Sequence, residues 1–381
     1  MAKKAYIGVS NVARRVRKMY IGVGGVARKV RKGYIGIAGI ARLFFSGGNI
    51  EYYSSISTGR SSDFNVIANA SNEHYTGWLG GNQSYSANKG IFFDSSLTQH
   101  QAHQTTSQYA ENAGCGIEDY LLFGGGYTER APHTVSSTLY YFDSSLTSGY
   151  VDRGWSCADS ATVRLGDIAI FAGGEIYSSA YVSYDNYKTV DNSLTIRSYS
   201  EGFPTNRSRF RAGIVGDYAL FGSGRSWTST AYISDSIPVA TTDSLTFTQA
   251  EAFSANRADY NAASNGKHLL FAGGYVAYSG SESATNTVEV YDASLTKIAN
   301  VSALSNAAYG PAQVELEGFA IFASTNGADI YNDELTRTFD ASLKASIDSS
   351  QSSKGSWKQG GHIGDFGLVP YGTGFNVCKL V

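Results

Sequence analysis

A repeat of about 50 residues runs through most of the chain and restricts its fold more than any other feature of the sequence. In each copy a hydrophobic strand ends in small residues, as in Tyr120–Gly125, Ile168–Gly174 and His268–Gly274. The equivalent positions lie 44 to 51 residues apart, at Leu79, Phe123, Phe171, Phe221, Phe271, Phe322 and Val369. Such a period predicts a row of similar modules that bury their apolar faces against each other.

A second element follows the first six of these strands after about 20 residues and combines a strand end with Asp and Leu. Its copies are Phe93–Leu97, Phe142–Leu146, Val190–Leu194, Thr242–Leu245, Tyr291–Leu295 and Phe339–Leu343. The Asp side chain can cap a tight turn before the Leu returns to the sheet. Another strand, ending in a turn such as Gly166-Asp167, precedes the glycine strand. Four short strands per repeat predict an all-β fold made of β-propeller blades.

The repeat resembles the kelch repeat, whose second strand ends in Gly-Gly and whose third strand ends in an aromatic residue and Asp. The resemblance covers about residues 62–381. It implies a seven-bladed kelch-like propeller, with six or eight blades as alternatives, although most copies lack the Trp that kelch outer strands often carry. The last copy, Gly361–Val381, has room for only three strands. We expect a strand over residues 49–56 to supply the fourth and close the ring, so that residues 49–381 form one domain without an exposed edge.

Residues 1–48 form a separate arm with three copies of a 14-residue unit, in which Tyr6, Tyr20 and Tyr34 are in register. Each copy has two β-prone halves around a dipeptide of small residues: Ser10-Asn11, Gly24-Gly25 and Ala38-Gly39. This pattern predicts three hairpins with two-residue turns. An amphipathic basic helix over Val12–Val16 and its copies is the alternative. An arm of this size cannot bury a core of its own, so we expect other copies of the chain or a partner to complete it.

The arm also differs from the rest of the chain in charge. It carries 11 Lys and Arg and no Asp or Glu, whereas the rest carries 19 basic and 32 acidic residues. This asymmetry predicts separate roles for the two parts. The apolar residues repeat as strictly as Arg14, Arg28 and Arg42 do, which favours attachment or assembly over phosphate binding. Nucleic acid is therefore an unlikely partner.

The repeated pattern Tyr-Ile-Gly-Val-x-x-Val-Ala-Arg-Lys-Val-x-Lys over residues 5–45 resembles a tandem repeat of tail-region proteins of phages and prophages of Gram-positive bacteria. The resemblance implies a virion protein, made in the host cytoplasm, whose arm attaches it to other virion or tail proteins. The attachment residues would be Tyr6, Tyr20, Tyr34, Arg14, Arg28 and Arg42. A homo-oligomer is expected, and a trimer is the first choice because tail fibres are commonly three-fold.

The remaining sequence signals argue against catalysis and against a membrane span. Cys115, Cys157 and Cys378 are far apart and are expected to be free, buried thiols. His100 and His103 are the only close pair of His and lack neighbouring metal ligands in the sequence. No apolar run is long enough to cross a bilayer, and the N-terminus lacks a secretory signal. We therefore expect no catalytic residues, metal, cofactor or membrane insertion. An enzyme that acts on cell-surface polysaccharide is the least favoured alternative.

Two sets of loops are candidates for ligand binding. The loops over residues 201–210 and 251–260 enter equivalent strands and are expected to surround one funnel with Arg207, Arg209, Phe210, Arg257 and Tyr260. Arg beside aromatic rings suits sugars and anionic groups, and the alternative is that these Arg side chains bond loop carbonyls between blades. The loops over residues 126–137, 175–188, 225–240 and 275–286 are rich in Tyr, Ser and Thr and include Trp227, as recognition surfaces often are.

The predicted function is host adhesion by a tail-associated receptor-binding protein. Its arm would anchor it to the particle, and its propeller loops would bind a host surface ligand such as a glycan. One alternative is a structural decoration protein of the virion without receptor activity. Another is a cellular kelch scaffold whose arm binds nucleic acid or an acidic protein.

Overall fold

The regular structure consists of strands that form many small antiparallel sheets. The structure, a computed structural model, describes residues 6–9, 12–15, 19–23, 26–30, 32–37, 40–46, 49–58, 67–80, 89–104, 112–127, 134–152, 154, 156–177, 181–199, 203, 206–227, 232–235, 237–278, 281–346 and 359–381. These residues contain no helix. The all-β class predicted from the repeat is therefore confirmed for the part of the chain that is described.

The arm contains three hairpins of consecutive strands. They are β1 (Tyr6–Val9) with β2 (Val12–Arg15), β3 (Met19–Val23) with β4 (Val26–Val30), and β5 (Lys32–Ile37) with β6 (Ile40–Ser46). Two residues separate the strands of each hairpin, and they are the predicted dipeptides. Val9 is opposite Val12, for example, as a two-residue turn requires. The alternative of a helix over Val12–Val16 is wrong, because Val12–Arg15 is a strand.

Seven principal sheets follow in chain order among the described residues, and the strand before each glycine strand lies at one edge. The first sheet contains β8 (Ile67–Ser71), β9 (Thr76–Gly80), β10 (Lys89–Phe93) and β11 (Gln99–Gln104). The second contains β12 (Ala113–Gly116), β13 (Leu121–Gly124), β14 (Thr138–Phe142) and β15 (Ser148–Asp152). The third contains β16 (Ala161–Leu165), β17 (Ile168–Ala172), β20 (Tyr187–Asp191) and β21 (Ile196–Tyr199). The fourth sheet contains β22 (Ala212–Val215), β23 (Tyr218–Phe221), β26 (Val239–Thr241) and β27 (Thr248–Gln249). The fifth contains β29 (Asn261–Ser264), β30 (His268–Ala272) and β33 (Val288–Asp292). The sixth contains β34 (Ala312–Leu316), β35 (Phe319–Ser324), β36 (Gly327–Asn332) and β37 (Arg337–Asp340).

The seventh sheet combines the end of the chain with the strand that follows the arm. Its strands are β38 (Gly361–Ile363), β39 (Phe366–Tyr371), β40 (Gly374–Leu380) and β7 (Ile50–Ser57), in that order. Beyond the ends of β7 and β40, Asn49 and Val381 exchange two backbone hydrogen bonds of 3.0 and 2.9 Å. The Ser55 hydroxyl donates to Asn376 Oδ1 at 2.8 Å. The strand after the arm is thus the fourth strand of the last sheet.

The first strands of successive sheets contact each other. These contacts run from β8 to β12, β16, β22, β29, β34 and β38, and β38 in turn contacts β8. At this last contact, the Asn69 backbone N–H donates to Gln359 Oε1 at 2.8 Å, and Trp78 Nε1 donates to the Gln359 carbonyl at 2.7 Å. Trp78 packs with Phe375 of the last sheet, with ring centroids 4.3 Å apart. The first and last sheets therefore share one apolar core.

The glycine pairs allow close approach of backbones, as the repeat predicted. Gly173 and Gly174 have φ values of +60° and +110°, which side chains disfavour. A Cβ on Gly174 would lie 2.7 Å from the Ala158 carbonyl oxygen. The Phe residues before the glycine pairs, such as Phe171 and Phe271, are fully buried. The three Cys residues are free and buried, also as predicted.

The Asp-containing turns share one geometry. Asp143 Oδ1, for example, accepts hydrogen bonds from the backbone N–H groups of Ser145 and Thr147, both at 2.9 Å, and from the Ser145 hydroxyl at 2.7 Å. Leu146 adopts a left-handed conformation with φ of 60°. The same conformation occurs at the equivalent residues Leu97, Leu194, Leu245, Leu295 and Leu335. The turn therefore places Leu in a region that L-residues disfavour. The side-chain oxygen of the first turn residue, which is Asp in four copies and Asn in a fifth, offsets this cost.

One copy of this turn was assigned wrongly from the sequence. Phe339 and Asp340 belong to the fourth strand of the sixth sheet, not to the end of its third strand. The equivalent turn begins at Asn332, whose Oδ1 accepts from the backbone N–H groups of Glu334 and Thr336. The reason is that a two-residue connection joins β35 and β36 in this sheet, so the third strand comes earlier than in the other copies.

Candidate functional site

Three neighbouring sheets carry an extra hairpin between their second and third strands. The hairpins are β18 (Glu175–Tyr177) with β19 (Tyr181–Ser183), β24 (Gly224–Trp227) with β25 (Tyr232–Asp235), and β31 (Tyr275–Tyr278) with β32 (Ser281–Ala284). The loops predicted to bind ligand over residues 175–188, 225–240 and 275–286 thus contain ordered strand pairs. Each hairpin follows a glycine strand directly and is therefore fixed to the sheet at its base.

The loops that enter the first strands pair with the bases of these hairpins. Ala158 forms a β-bridge with Glu175, and Ser208 forms one with Arg225. In the fifth sheet the pairing lengthens to a short strand, β28 (Arg257–Ala258), beside β31. The two sets of loops that the sequence analysis treated as separate candidates therefore lie side by side.

The register places aromatic residues at the far ends of the hairpins. Tyr177 is opposite Tyr181, and Trp227 is opposite Tyr232. In the third hairpin, Tyr278 is opposite Ser281. The positions of these side chains lie outside the described part of the structure, so the register alone places Trp227. The predicted binding residue Trp227 is thus the last residue of β24, next to the hairpin turn.

Arg207 and Arg257 are buried, with 1% of each residue exposed. Arg207 Nη1 donates to the Gly222 carbonyl at 2.8 Å, and Arg257 Nη1 donates to the carbonyls of Gly273 and Thr287 at 2.9 and 2.8 Å. Both guanidinium groups also lie over aromatic rings, at 5.1 Å from the Phe253 centroid in the case of Arg257. These contacts match the structural alternative, in which the Arg side chains bond loop carbonyls.

Phe210 and Tyr260 are completely buried. Phe210 packs against Phe203 and Phe221, with ring centroids 5.6 and 6.4 Å away. The Tyr260 hydroxyl donates to the Ser223 carbonyl, and burial raises the Tyr260 pKa above its usual range. The structure places Phe210 in the core between the third and fourth sheets and Tyr260 between the fourth and fifth, rather than on a surface that a ligand contacts.

Arg209 lies at the centre of a buried charge cluster, which we define as Asp159, Glu175, Arg209 and Asp259. Arg209 Nη2 is 3.1 Å from Glu175 Oε1, and its Nε is 3.3 Å from Asp159 Oδ2. Its Nη1 is 3.8 Å from Asp259 Oδ2. Burial raises the pKa of Asp159 and of Asp259, and the positive charge of Arg209 opposes both shifts.

The sequence analysis singled out only Arg209 from the charge cluster. A signal was present, because Asp159, Arg209 and Asp259 occupy equivalent positions of the repeat and alternate in charge. All three adopt left-handed backbone conformations with φ near +55°, and the Arg209 N–H donates to the Asp159 carbonyl at 3.2 Å. The charge cluster therefore connects the third, fourth and fifth sheets at the base of the hairpins.

The other predicted site residues belong to the arm. In the register of the hairpins, Arg14 is opposite Ile7, Arg28 is opposite Ile21, and Arg42 is opposite Ile35. Tyr6, Tyr20 and Tyr34 lie on β1, β3 and β5. The side chains of these residues are outside the described part of the structure. Their role in attachment stays a prediction.

Two further observations concern metals and membranes. His100 Nε2 lies 2.9 Å from Asp94 Oδ2, which is a contact that the sequence analysis did not expect. Over the described residues, no group of three or more His, Cys, Asp or Glu is arranged to hold a metal ion. The same part of the chain has no helix that is long and apolar enough to cross a membrane.

Comparison with solved structures finds proteins of similar fold. No protein-family model matches the chain, and no curated protein matches it. A solved structure of YjhT is similar, with a TM-score of 0.57 and 12% sequence identity, over 74% of this chain and 95% of the YjhT chain. At this identity the similarity concerns the fold alone. It supports an all-β, propeller-like arrangement of the sheets.

Proposed function

We propose that the seven principal sheets are the blades of a closed, kelch-like propeller and that β7 closes the ring. The support comes from the contacts between successive first strands, which continue from β38 back to β8. Gln359 supports the same arrangement, because it accepts hydrogen bonds from Asn69 and Trp78 of the first sheet. A closed ring needs no further partner to cover its sheet edges.

We further propose that the chain is a tail-associated virion protein that binds a host surface ligand, such as a glycan, and does not transform it. The observation that carries this proposal is the set of three neighbouring hairpins with aromatic residues at their tips. Aromatic side chains at such positions offer large contact areas at low entropic cost. The buried charge cluster fixes the bases of the hairpins, and a rigid base reduces the entropy that is lost on binding.

Binding of the fluorescently labelled full-length chain to arrays of Gram-positive cell-wall polysaccharides tests this proposal. We expect the double substitution of Trp227 and Tyr232 by Ala to weaken binding at least tenfold without changing the melting temperature. Tyr150→Ala is the matched control, because Tyr150 is 68% exposed on the outer strand of another sheet. Equal binding by the double variant and the wild type would exclude the hairpins. If the chain binds neither to any of the polysaccharides nor to intact host cells, a decoration protein is favoured.

For the arm, we propose a role in attachment to the particle and in assembly, with a trimer as the expected oligomer. The proposal rests on the three equivalent hairpins and on the 11 basic residues without acidic ones. Light scattering of the full-length chain and of residues 49–381 tests it. We expect an oligomer for the full-length chain and a folded monomer for the shorter one. Monomers in both cases would contradict self-assembly and would direct attention to an acidic partner.

A further inference from the structure

Exposed carboxylates mark one end of the principal sheets. Neighbouring strands of each sheet are antiparallel, so the turn between the first and second strands and the turn after the third strand lie at the same end. The turns after the third strands place an Asp at this end in each of the first five sheets. We call this end, formed by both sets of turns, the acidic face. Its first-to-second turns expose six carboxylates: Glu73, Glu118, Asp119, Asp167, Asp217 and Glu317.

Contacts between the turns bring the ends of neighbouring sheets onto one surface. Asn72 Nδ2 of the first sheet donates to the Glu118 carbonyl of the second sheet at 3.4 Å. Asn192 Nδ2 of the third sheet donates to Asp119 Oδ2 of the second sheet at 2.6 Å. The first strands of successive sheets also contact each other along the whole series. The carboxylates of the turns therefore lie side by side rather than on separate surfaces.

Few cations balance the charge of the acidic face. Lys267 is the only Lys or Arg within its described turns, and Lys267 Nζ lies 2.8 Å from Asp333 Oδ2 of the next sheet. Arg164 Nε, from the adjacent strand, donates to the Gly166 carbonyl at 2.9 Å. Turn chemistry does not account for the charge, because three of the six exposed carboxylates are Glu, which is not a turn-forming residue. Carboxylates gathered on one surface repel each other, so a cationic partner stabilises them.

We propose that the acidic face binds the basic arm of a second copy of this chain. Charge complementarity favours this occupant, because the arm has 11 Lys and Arg and no Asp or Glu, in three hairpins of the same pattern. Both surfaces carry charge at repeated positions, so many ion pairs that are individually weak can form together. This docking rests on the proposed self-assembly of the arm and adds the surface that receives it. A head-to-tail contact of this kind can close into a ring, as the expected trimer requires.

Carbodiimide cross-linking of the full-length chain tests which surface the arm contacts. The reagent joins a carboxylate directly to a lysine amine, and the arm supplies five Lys and no carboxylate side chain. Unlabelled and isotope-labelled chains are mixed at high salt and returned to low salt, so that mass spectrometry separates links between copies from links within one copy. We expect arm lysines to join carboxylates of the acidic face on a copy with the other label. Links confined to one copy, or to the opposite end of the sheets, would overturn the docking.

Two matched variants of the full-length chain test the same contact by affinity. One neutralises three exposed carboxylates of the acidic face: Glu118→Gln, Asp167→Asn and Asp217→Asn. The control neutralises three exposed carboxylates at the opposite end of the same sheets: Asp152→Asn, Asp185→Asn and Glu251→Gln. We expect the first variant to weaken self-association about tenfold and the control less than about twofold, in light scattering over a dilution series at about 50 mM salt.

The outcomes separate this docking from the self-assembly on which it rests. Equal weakening by both variants would reflect net charge alone and would overturn the docking. Oligomers that keep wild-type affinity in the first variant would also overturn it, but would leave self-assembly through the arm in place. Full-length chains that stay monomeric and form no links between copies would overturn both. The melting temperatures of both variants should match the wild type, because the substitutions are isosteric and exposed.

Discussion

Substitution of Trp78 by Ala provides the sharpest test of ring closure. Trp78 is fully buried, and its partners come from both ends of the chain. It packs on Phe93 of its own sheet, at 6.2 Å, and on Phe375 of the last sheet, at 4.3 Å between ring centroids. Its Nε1 donates to the Gln359 carbonyl at 2.7 Å. One side chain thus connects the first sheet to the last through packing and a hydrogen bond.

The expected cost follows from these contacts. Truncating a buried Trp to Ala typically lowers the free energy of unfolding by about 3–5 kcal/mol. The Gln359 carbonyl loses a buried donor, which adds about 1 kcal/mol or more. We therefore expect a total of roughly 4–6 kcal/mol, which urea unfolding followed by far-ultraviolet circular dichroism can measure. Trp78→Phe retains most of the packing and should cost only about 1–2 kcal/mol.

The strands that lose protection from hydrogen exchange distinguish the contact between the first and last sheets from an ordinary core site. We expect hydrogen exchange in the Trp78→Ala variant to increase first in β40 and β7, because the contact between the first and last sheets has been weakened. Phe171→Ala is the control, since Phe171 is equally buried but packs between the second and third sheets. Closure through the contact between the first and last sheets would be refuted if Trp78→Ala lowered the free energy of unfolding by less than about 1 kcal/mol. It would also be refuted if hydrogen exchange increased elsewhere but not in β40.

Three further predictions concern the turns, the charge cluster and Glu315. Asp143→Ala should cost about 1–2 kcal/mol in urea unfolding, because three hydrogen bonds to its carboxylate are lost, whereas the exposed neighbour Ser144→Ala should be neutral. Arg209→Leu removes the cation that contacts three buried carboxyl groups, two of which then keep only the charges of Arg211 and Arg225, and it should cost about 3–5 kcal/mol at neutral pH. A cost near zero would mean that the charge cluster does not connect the sheets. Burial raises the pKa of Glu315 from 4.5 to about 7. The wild type should therefore lose about 3 kcal/mol of stability relative to Glu315→Gln as the pH rises through this interval. If the melting temperatures of the two proteins change in parallel across the interval, the raised pKa of Glu315 is contradicted.

The positions of most strands could be predicted from the sequence because they depend on local patterns. Alternation of apolar residues, glycine pairs and the Asp-x-Ser-Leu turns repeat at nearly constant spacing, and each has a physical meaning within a few residues. The two-residue turns of the arm were predicted for the same reason. The pattern was misleading at Phe339–Leu343. There a short connection places the third strand earlier in the sequence, so that Phe339 and Asp340 belong to the fourth strand instead.

The roles of the charged residues depended on the tertiary structure. Arg207, Arg209 and Arg257 belong to similar stretches of sequence, yet Arg207 and Arg257 bond carbonyls and Arg209 binds three carboxylates. The difference arises because Asp159 and Asp259 reach Arg209 from the neighbouring sheets, about 50 residues away in each direction. A pocket between the first strands of the principal sheets is likewise lined by seven strands that are distant in sequence. The sequence by itself therefore determined the strands and turns, since these need only near neighbours, whereas burial, ion pairing and the pocket were decided by which sheets become adjacent in space.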